Sequence, residues 1–292
     1  MTNNHLFFTL LLMLGCCTAW AQEEPVAYRL FDAKGNAVDY REMMQDLARQ
    51  DVVFVGEMHN CPVTHWLERR MLQSLYEING SRTAVGMEML EADCQLIVDE
   101  YQQGLITTER FEAEARLWPN YSTDYEPLVS FAHEHRLPLI ATNVPRRYAN
   151  AVKNHGLQWL DSLSEEARRY LPPLPIDYQD IEQADEAFGL MAMMGKNKSA
   201  NPAWMGQSQA LKDATMAWNI AQCKTGKLVH FNGNYHTDSG SGIITYLRQY
   251  RPGVRLKTVY SVRQEDTKSL EPDYLGRADY FICVPEDMTT SY

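Results

Sequence analysis

Six short apolar runs, each bounded by a turn or a helical pattern, constrain this chain more than any other feature. Asp51-Val52-Val53-Phe54-Val55 stops at Gly56, Thr83-Ala84-Val85-Gly86-Met87 is the second, and Leu137-Pro138-Leu139-Ile140-Ala141 the third. Lys227-Leu228-Val229-His230-Phe231 comes later, followed by residues 255–262 and 278–284. Runs this short with little polar alternation are expected of strands buried on both faces. Helical patterns fill the intervals. Pro62 suits a first helical turn, Val63, Leu67, Met71 and Leu75 recur every fourth residue, and Asn79-Gly80 closes the segment. Gln207, Leu211, Ala214, Trp218 and Ala221 mark a face of a second helix, just before the fourth strand. Strands alternating with helices predict an α/β fold, a mostly parallel sheet flanked by helices. Such sheets carry their sites at the carboxyl ends of the strands.

Residues 160–206 interrupt that rhythm with Leu171-Pro172-Pro173-Leu174-Pro175, several acids and the Met-rich Phe188-Gly189-Leu190-Met191-Ala192-Met193-Met194. Aromatics and methionines need something to cover, so this stretch is expected to be an inserted helical subdomain or lid.

The first 21 residues contain no Asp, Glu, Lys or Arg. Their apolar run, Leu6 to Leu14, is too short to span a bilayer and suits the core of a signal peptide. Ala19-Trp20-Ala21 is a small-x-small site, so residues 1–21 are expected to be a signal peptide, leaving a domain over 22–292. A second reading is lipoprotein processing at Cys16, since Leu14-Gly15-Cys16 is a partial lipobox. Either way the expected location is the periplasm or cell envelope, with a membrane anchor only if Cys16 is lipidated. Cys61, Cys94, Cys223 and Cys283 lie beyond the leader without a C-x-x-C pair, which excludes zinc-ribbon and thioredoxin readings. They are expected to be buried free thiols. With 27 Lys+Arg against 38 Asp+Glu, net charge −11, the chain lacks the basic surface that a nucleic-acid partner requires.

One short motif occurs twice. The first strand ends in Gly56-Glu57-Met58-His59 and the fourth in Gly233-Asn234-Tyr235-His236. The second runs into Glu88, and the third into Asn143-Val144-Pro145-Arg146-Arg147. If these strand ends lie side by side, His59, His236, Glu57 and Glu88 converge with an arginine. Imidazole plus carboxylate suits a divalent transition metal, with His59, His236 and Glu88 as its ligands. Arginine suits an anionic group or a developing oxyanion. Blander roles are open as well. Glu57 is placed to cap the helix that starts at Pro62, and Arg146 or Arg147 to be a solvated surface side chain. His133 and His135 suit an exposed helix end.

Val55-Gly56-Glu57-Met58-His59, Val85-Gly86-Met87-Glu88-Met89, Leu139-Ile140-Ala141-Thr142-Asn143-Val144-Pro145-Arg146 and Gln209-Ala210-Leu211-Lys212-Asp213-Ala214-Thr215-Met216-Ala217 together resemble the ChaN family of iron-regulated, haem-binding proteins. The resemblance covers residues 40–265. It implies kinship with the Tiki, TraB and erythromycin-esterase proteins, whose shared signature falls here on His59, His236, Glu88 and Arg146. It further implies an exported protein that binds haem in haem and iron uptake, with homodimerisation on the ligand and outer-membrane haem-uptake machinery as partners. Members are often lipoproteins, whereas the lipobox here is imperfect.

Haem needs an apolar surface, an axial ligand and cations for its propionates. The insertion offers Tyr170, Tyr178 and Met193 as cofactor contacts and Arg168 or Arg169 for propionates. The alternative is a metal-dependent hydrolase with Glu57, Glu88 and Arg146 as catalytic groups, His59 or His236 serving as ligand or base. A third reading leaves the strand-end cluster as a polar network without chemistry.

Overall fold

Seven strands make one sheet: β1 (Arg29–Asp32), β2 (Val52–Glu57), β3 (Thr83–Glu91), β4 (Leu139–Asn143), β5 (Lys227–Gly233), β6 (Leu256–Gln264) and β7 (Tyr280–Pro285). Their order is β1-β7-β6-β2-β5-β3-β4, with every neighbouring pair parallel except β1 and β7. The structure is a computed structural model describing residues 25–178 and 201–292. The mostly parallel sheet flanked by helices expected from the alternating pattern is therefore present.

Why the strands lacked polar alternation is clear at β2, where all six residues are buried. Val53 and Val55 face a core built with α1 (Tyr40–Leu47), α2 (Pro62–Asn79), α3 (Gln95–Gln102), α4 (Thr108–Glu114) and α5 (Glu126–Glu134). Val52 and Phe54 face the opposite core, built with α6 (Arg146–His155), α8 (Pro202–Ala221) and α9 (Ile243–Tyr250). Period-two geometry sends successive residues to opposite faces, and both faces are dry. A short helix, α7 (Glu165–Arg168), lies between α6 and α8 in the chain.

The boundaries of α2 follow its chemistry. Pro62 occupies the first turn, where its missing N–H costs nothing, and Gly80 closes the helix at φ 62°, a conformation that side chains other than glycine resist. Leu67, Met71 and Leu75 are buried as the spacing predicts. His65 and Glu68 are buried on the same helix. Glu57 does not cap it: the N-cap position is Cys61, with no side-chain hydrogen bond.

Two features depart from the sequence reading. β1 is a four-residue edge strand with only Leu30 and Phe31 buried, too short to stand out as an apolar run. β3 continues past Met87 to Glu91, with an irregular register against β4 between those residues. The extension carries a second acid, Glu91, to the same sheet edge as Glu88.

Residues 157–178 start with a 3-10 turn at Leu157–Ser162 and pack through buried Leu171 and Ile176 onto the α6–α8–α9 core. Tyr170 and Tyr178 pack, partly buried, against that core. Met193 and the surrounding Met-rich stretch lie outside the described residues, as do residues 1–24 with Cys16. Cys61, Cys94, Cys223 and Cys283 are free thiols. Among the described residues no helix is long and apolar enough to cross a membrane.

Candidate functional site

The strand order places β2, β5, β3 and β4 side by side, so four carboxyl ends meet along one sheet edge. A cleft of about 490 Å³ opens there, lined by Glu57, His59, Glu88, Glu91, Arg146 and His236 among others. That volume lies within the range of small-molecule sites, roughly 300–1,000 Å³.

Each motif histidine is held by carboxylates. His59 Nδ1 lies 2.6 Å from Glu57 Oε1, which also accepts a hydrogen bond from the Tyr125 hydroxyl at 2.7 Å. The His59 side chain is 38% exposed and meets Trp118 edge-on at 5.1 Å between ring centroids. His236 is buried between two acids, with Nδ1 2.5 Å from Asp213 Oδ1 and Nε2 3.1 Å from Glu88 Oε1. The other Glu88 oxygen accepts the backbone N–H of Gly233 at 2.8 Å. Glycine lets the ring lie close at that point: a Cβ on residue 233 would stand 2.9 Å from Cε1 and 3.0 Å from Nε2 of His59, so the ring would have to shift.

The charges follow from this arrangement. Burial alone would lower the His236 pKa, but the Glu88 and Asp213 carboxylates raise it to about 10. Burial alone would raise Glu88, and the charge and hydrogen bond of His236, helped by His59, hold it at about 2. For His59, desolvation is outweighed by the Glu57 carboxylate, and its pKa rises. At neutral pH the cleft floor thus holds His236 as an imidazolium between Glu88 and Asp213.

The third and fourth strand ends supply the rim. Arg146 donates its backbone N–H to Glu91 Oε2 at 3.0 Å, and its Nε lies 3.8 Å from Glu91 Oε1, while the side chain stays 73% exposed. Arg147 turns away to Asp93 and Tyr148. His133 stacks on Tyr101 at 4.4 Å and His135 sits against Tyr76 at 4.5 Å, so the His-x-His pair joins a ring cluster at the end of α5.

The structure therefore brings Glu57, His59, Glu88, Arg146 and His236 together. It does not bring Tyr170 or Tyr178 to the cleft; the Tyr178 hydroxyl lies against Gly206 of α8. Ligand atoms of His59, Glu88 and His236 do not all come within 4.8 Å of one another. Among the described residues the group that meets that limit is Glu57, His65 and Glu68. Sequence reasoning passed over Asp213, Lys212, Trp118, Tyr125 and Tyr235. A signal existed for two of them: Asp213 is a charge on the buried side of a helix, and Tyr235 sits inside the second G-x-x-H.

A cleft floored by histidines and carboxylates at the carboxyl ends of parallel strands defines an α/β protein with a strand-end ligand site. The family model described as haem-binding uptake, Tiki superfamily, ChaN matches residues 43–247, and the chain belongs to that family. A solved ChaN structure from Campylobacter jejuni, titled for cofacial heme binding, is 16% identical. It covers 87% of this chain and 96% of that one at a TM-score of 0.66. A solved mutant of the erythromycin esterase EreC, in its open conformation, is 12% identical, with 91% and 98% covered and a TM-score of 0.50. These likenesses establish the fold. The chloroplastic protein RETICULATA-RELATED 5 of Arabidopsis thaliana is 24% identical over 245 residues, 75% of this chain. The match spans about a third of that relative's length, 32%.

Does the cleft suit haem? Its wall includes Met58, Trp118, Val144 and Tyr235, an apolar and aromatic surface, and Arg146 and Lys212 are cations on the same lining. His59 and Tyr235 carry iron-ligating atom types there. Surface, ligand atoms and propionate partners are all present, so the residues fit the group.

Proposed function

We propose that this chain binds haem in the strand-end cleft and carries it as cargo in haem and iron uptake at the cell envelope. The observation that supports this best is a cleft lining in which Trp118, Met58, Val144 and Tyr235 occur together with Arg146 and Lys212. Apolar side chains take the porphyrin out of water, and the cations meet its carboxylates. Glu57 occupies Nδ1 of His59, which leaves Nε2 for iron, the pairing by which carboxylates orient metal-bound histidines. Tyr235, 45% exposed, offers a phenol as the second ligand type.

Export rests on the uncharged apolar start, with cleavage before Gln22 or processing at Cys16. Cofacial heme binding in the Campylobacter protein supports the corollary that two copies of this chain meet on the ligand. The hydrolase alternative uses the same cleft but asks His59 or His236 to act as base. With both ring nitrogens of His236 facing carboxylates, that imidazole has no free lone pair to take a proton.

A haemin titration of the purified protein tests the reading. The expected result is a saturable, red-shifted Soret band, weakened about ten-fold or more in His59→Ala or Tyr235→Phe and retained in Tyr170→Phe and Tyr178→Phe. Haemin that associates without a saturable spectral change refutes it, and metal-dependent ester or peptide cleavage would favour the hydrolase instead.

A further inference from the structure

Beneath the cleft floor lies a second group of ligand-type side chains, buried between the end of β2 and the first turns of α2. Glu57, His65 and Glu68 are 2%, 5% and 0% exposed, and each offers a ligand atom within 4.8 Å of the other two. Acidic residues in a protein interior need compensation, since an unpaired buried carboxylate is costly. Two carboxylate oxygens here, Glu57 Oε2 and Glu68 Oε1, have no hydrogen-bond donor.

The donor pattern shows where compensation is missing. Glu57 divides its work: Oε1 receives the Tyr125 hydroxyl and faces His59 Nδ1, whereas Oε2 is left facing His65 Nδ1 at 3.5 Å. On the histidine, Nε2 lies 3.1 Å from the His59 carbonyl, an acceptor only, so the Nε2 proton is fixed there. Nδ1 lies 2.9 Å from Glu68 Oε2 and 3.5 Å from Glu57 Oε2, and its proton bridges to Glu68; a bound cation would take that proton's place. With the proton displaced, Nδ1 and the two carboxylates converge on one point. Metal-bound histidines take this form, one nitrogen ligating and the other donating to a backbone carbonyl.

We propose that Glu57, His65 and Glu68 form a buried site for one divalent transition cation of the zinc, iron or manganese type. In a tetrahedral set with bonds near 2.0–2.2 Å, ligand atoms stand roughly 3.3 Å apart. The two separations at His65 Nδ1, 3.5 Å and 2.9 Å, bracket that value. One imidazole and two carboxylates suit these borderline cations better than soft copper(I), which wants thiolates, or calcium and magnesium, which want oxygen alone. Glu57 also lines the cleft, which provides the route in. The site is distinct from the His59, Glu88 and His236 group and is independent of haem. Its cation would hold Glu57, and through Glu57 Oε1 the ring of His59, in a fixed orientation.

The test is zinc alone, added to full-length protein stripped with a chelator and free of haem. Wild type is expected to retain one equivalent after gel filtration, and X-ray absorption at the zinc edge should show one imidazole with the other ligands oxygen. Glu68→Gln should lose the equivalent, its folding checked by circular dichroism, and His236→Ala should keep it. No stoichiometric zinc in wild type overturns the proposal. So does a zinc shell with two imidazoles, or an equivalent lost in His236→Ala and kept in folded Glu68→Gln, because either would place the metal in the cleft above.

Discussion

Asp213 Oδ1 stands 2.5 Å from Nδ1 of His236, joining the middle of α8 to the loop that leaves β5. The contact decides the charge and the orientation of the second motif histidine. With Asp213 on one nitrogen and Glu88 on the other, the ring cannot turn without breaking a buried ion pair, a costly step in the protein interior. Replacing Asp213 with Asn keeps the shape and removes one charge. The His236 pKa, about 10 in the folded protein, should then fall toward the ordinary histidine value. An NMR titration of the ring reads this directly, and an unchanged pKa would show that Glu88 alone sets it.

Stability should be limited by this cluster at both ends of the pH scale. Burial raises Glu88, but His236 and His59 draw it down to about 2, below its unfolded value of roughly 4.3. Its contribution is present above about 4.3 and is lost as pH falls through 2. His236 has the opposite sign. Its folded pKa near 10 exceeds the unfolded value of roughly 6.5, so its contribution is full below 6.5 and is lost as pH rises through 10. Thermal unfolding in chelator-treated buffer should show both limbs, with Glu88→Gln flattening the acid one. An acid limb that survives in Glu88→Gln assigns it to other carboxylates.

Gly233→Ala sets a methyl group against the His59 ring at about 3 Å. Overpacking of this kind costs about 1–3 kcal/mol. Here the ring is partly exposed and can move, so the larger effect should fall on haemin binding and the smaller on urea unfolding. Equal haemin affinity in Gly233→Ala and wild type would show that the ring position is irrelevant to the ligand.

Tyr125→Phe removes the hydroxyl that donates to Glu57 Oε1 at 2.7 Å inside the protein. A hydrogen bond to a charged group contributes about 1.5–3 kcal/mol. Urea denaturation should record a loss of that size, with the slope unchanged because the surface exposed on unfolding is the same.

Arg146→Ala and Lys212→Ala should each weaken haemin binding by roughly two- to five-fold, the scale of an exposed ion pair. Added salt should shrink the difference, because exposed charges are screened. Salt-independent losses would point to packing by the aliphatic stems.

How much of the fold and the site is legible in the sequence follows from where each signal lies. The strands that matter carry local apolar runs, and parallel order brings their ends together as expected. Pro62 and Gly80 mark α2 because a missing N–H and a positive φ are single-residue signals. β1 offers no such signal, being a short antiparallel edge with two buried residues. Glu57, His59, Glu88, Arg146 and His236 stand out because each closely follows an apolar run. Asp213 and Tyr125 reach the site from helical segments, and only tertiary packing aims them. His65 and Glu68 belong to a helix whose apolar stripe draws attention away from its buried polar pair. The Tyr- and Met-rich insertion carries the expectation of haem contacts; of its named residues, Tyr170 and Tyr178 pack on the α6–α8–α9 core and Met193 lies outside the described residues.

β5 lies between β2 and β3 in the sheet, although it follows both by well over a hundred residues. While a chain is being made, its two earlier site strands therefore have no partner between them. Their parallel edges stay open, a hazard for association with other chains until the late strand arrives. His236 and Gly233 come with that strand. β6 and β7 arrive later still, so the floor of the cleft closes when β5 inserts, before the sheet itself is complete.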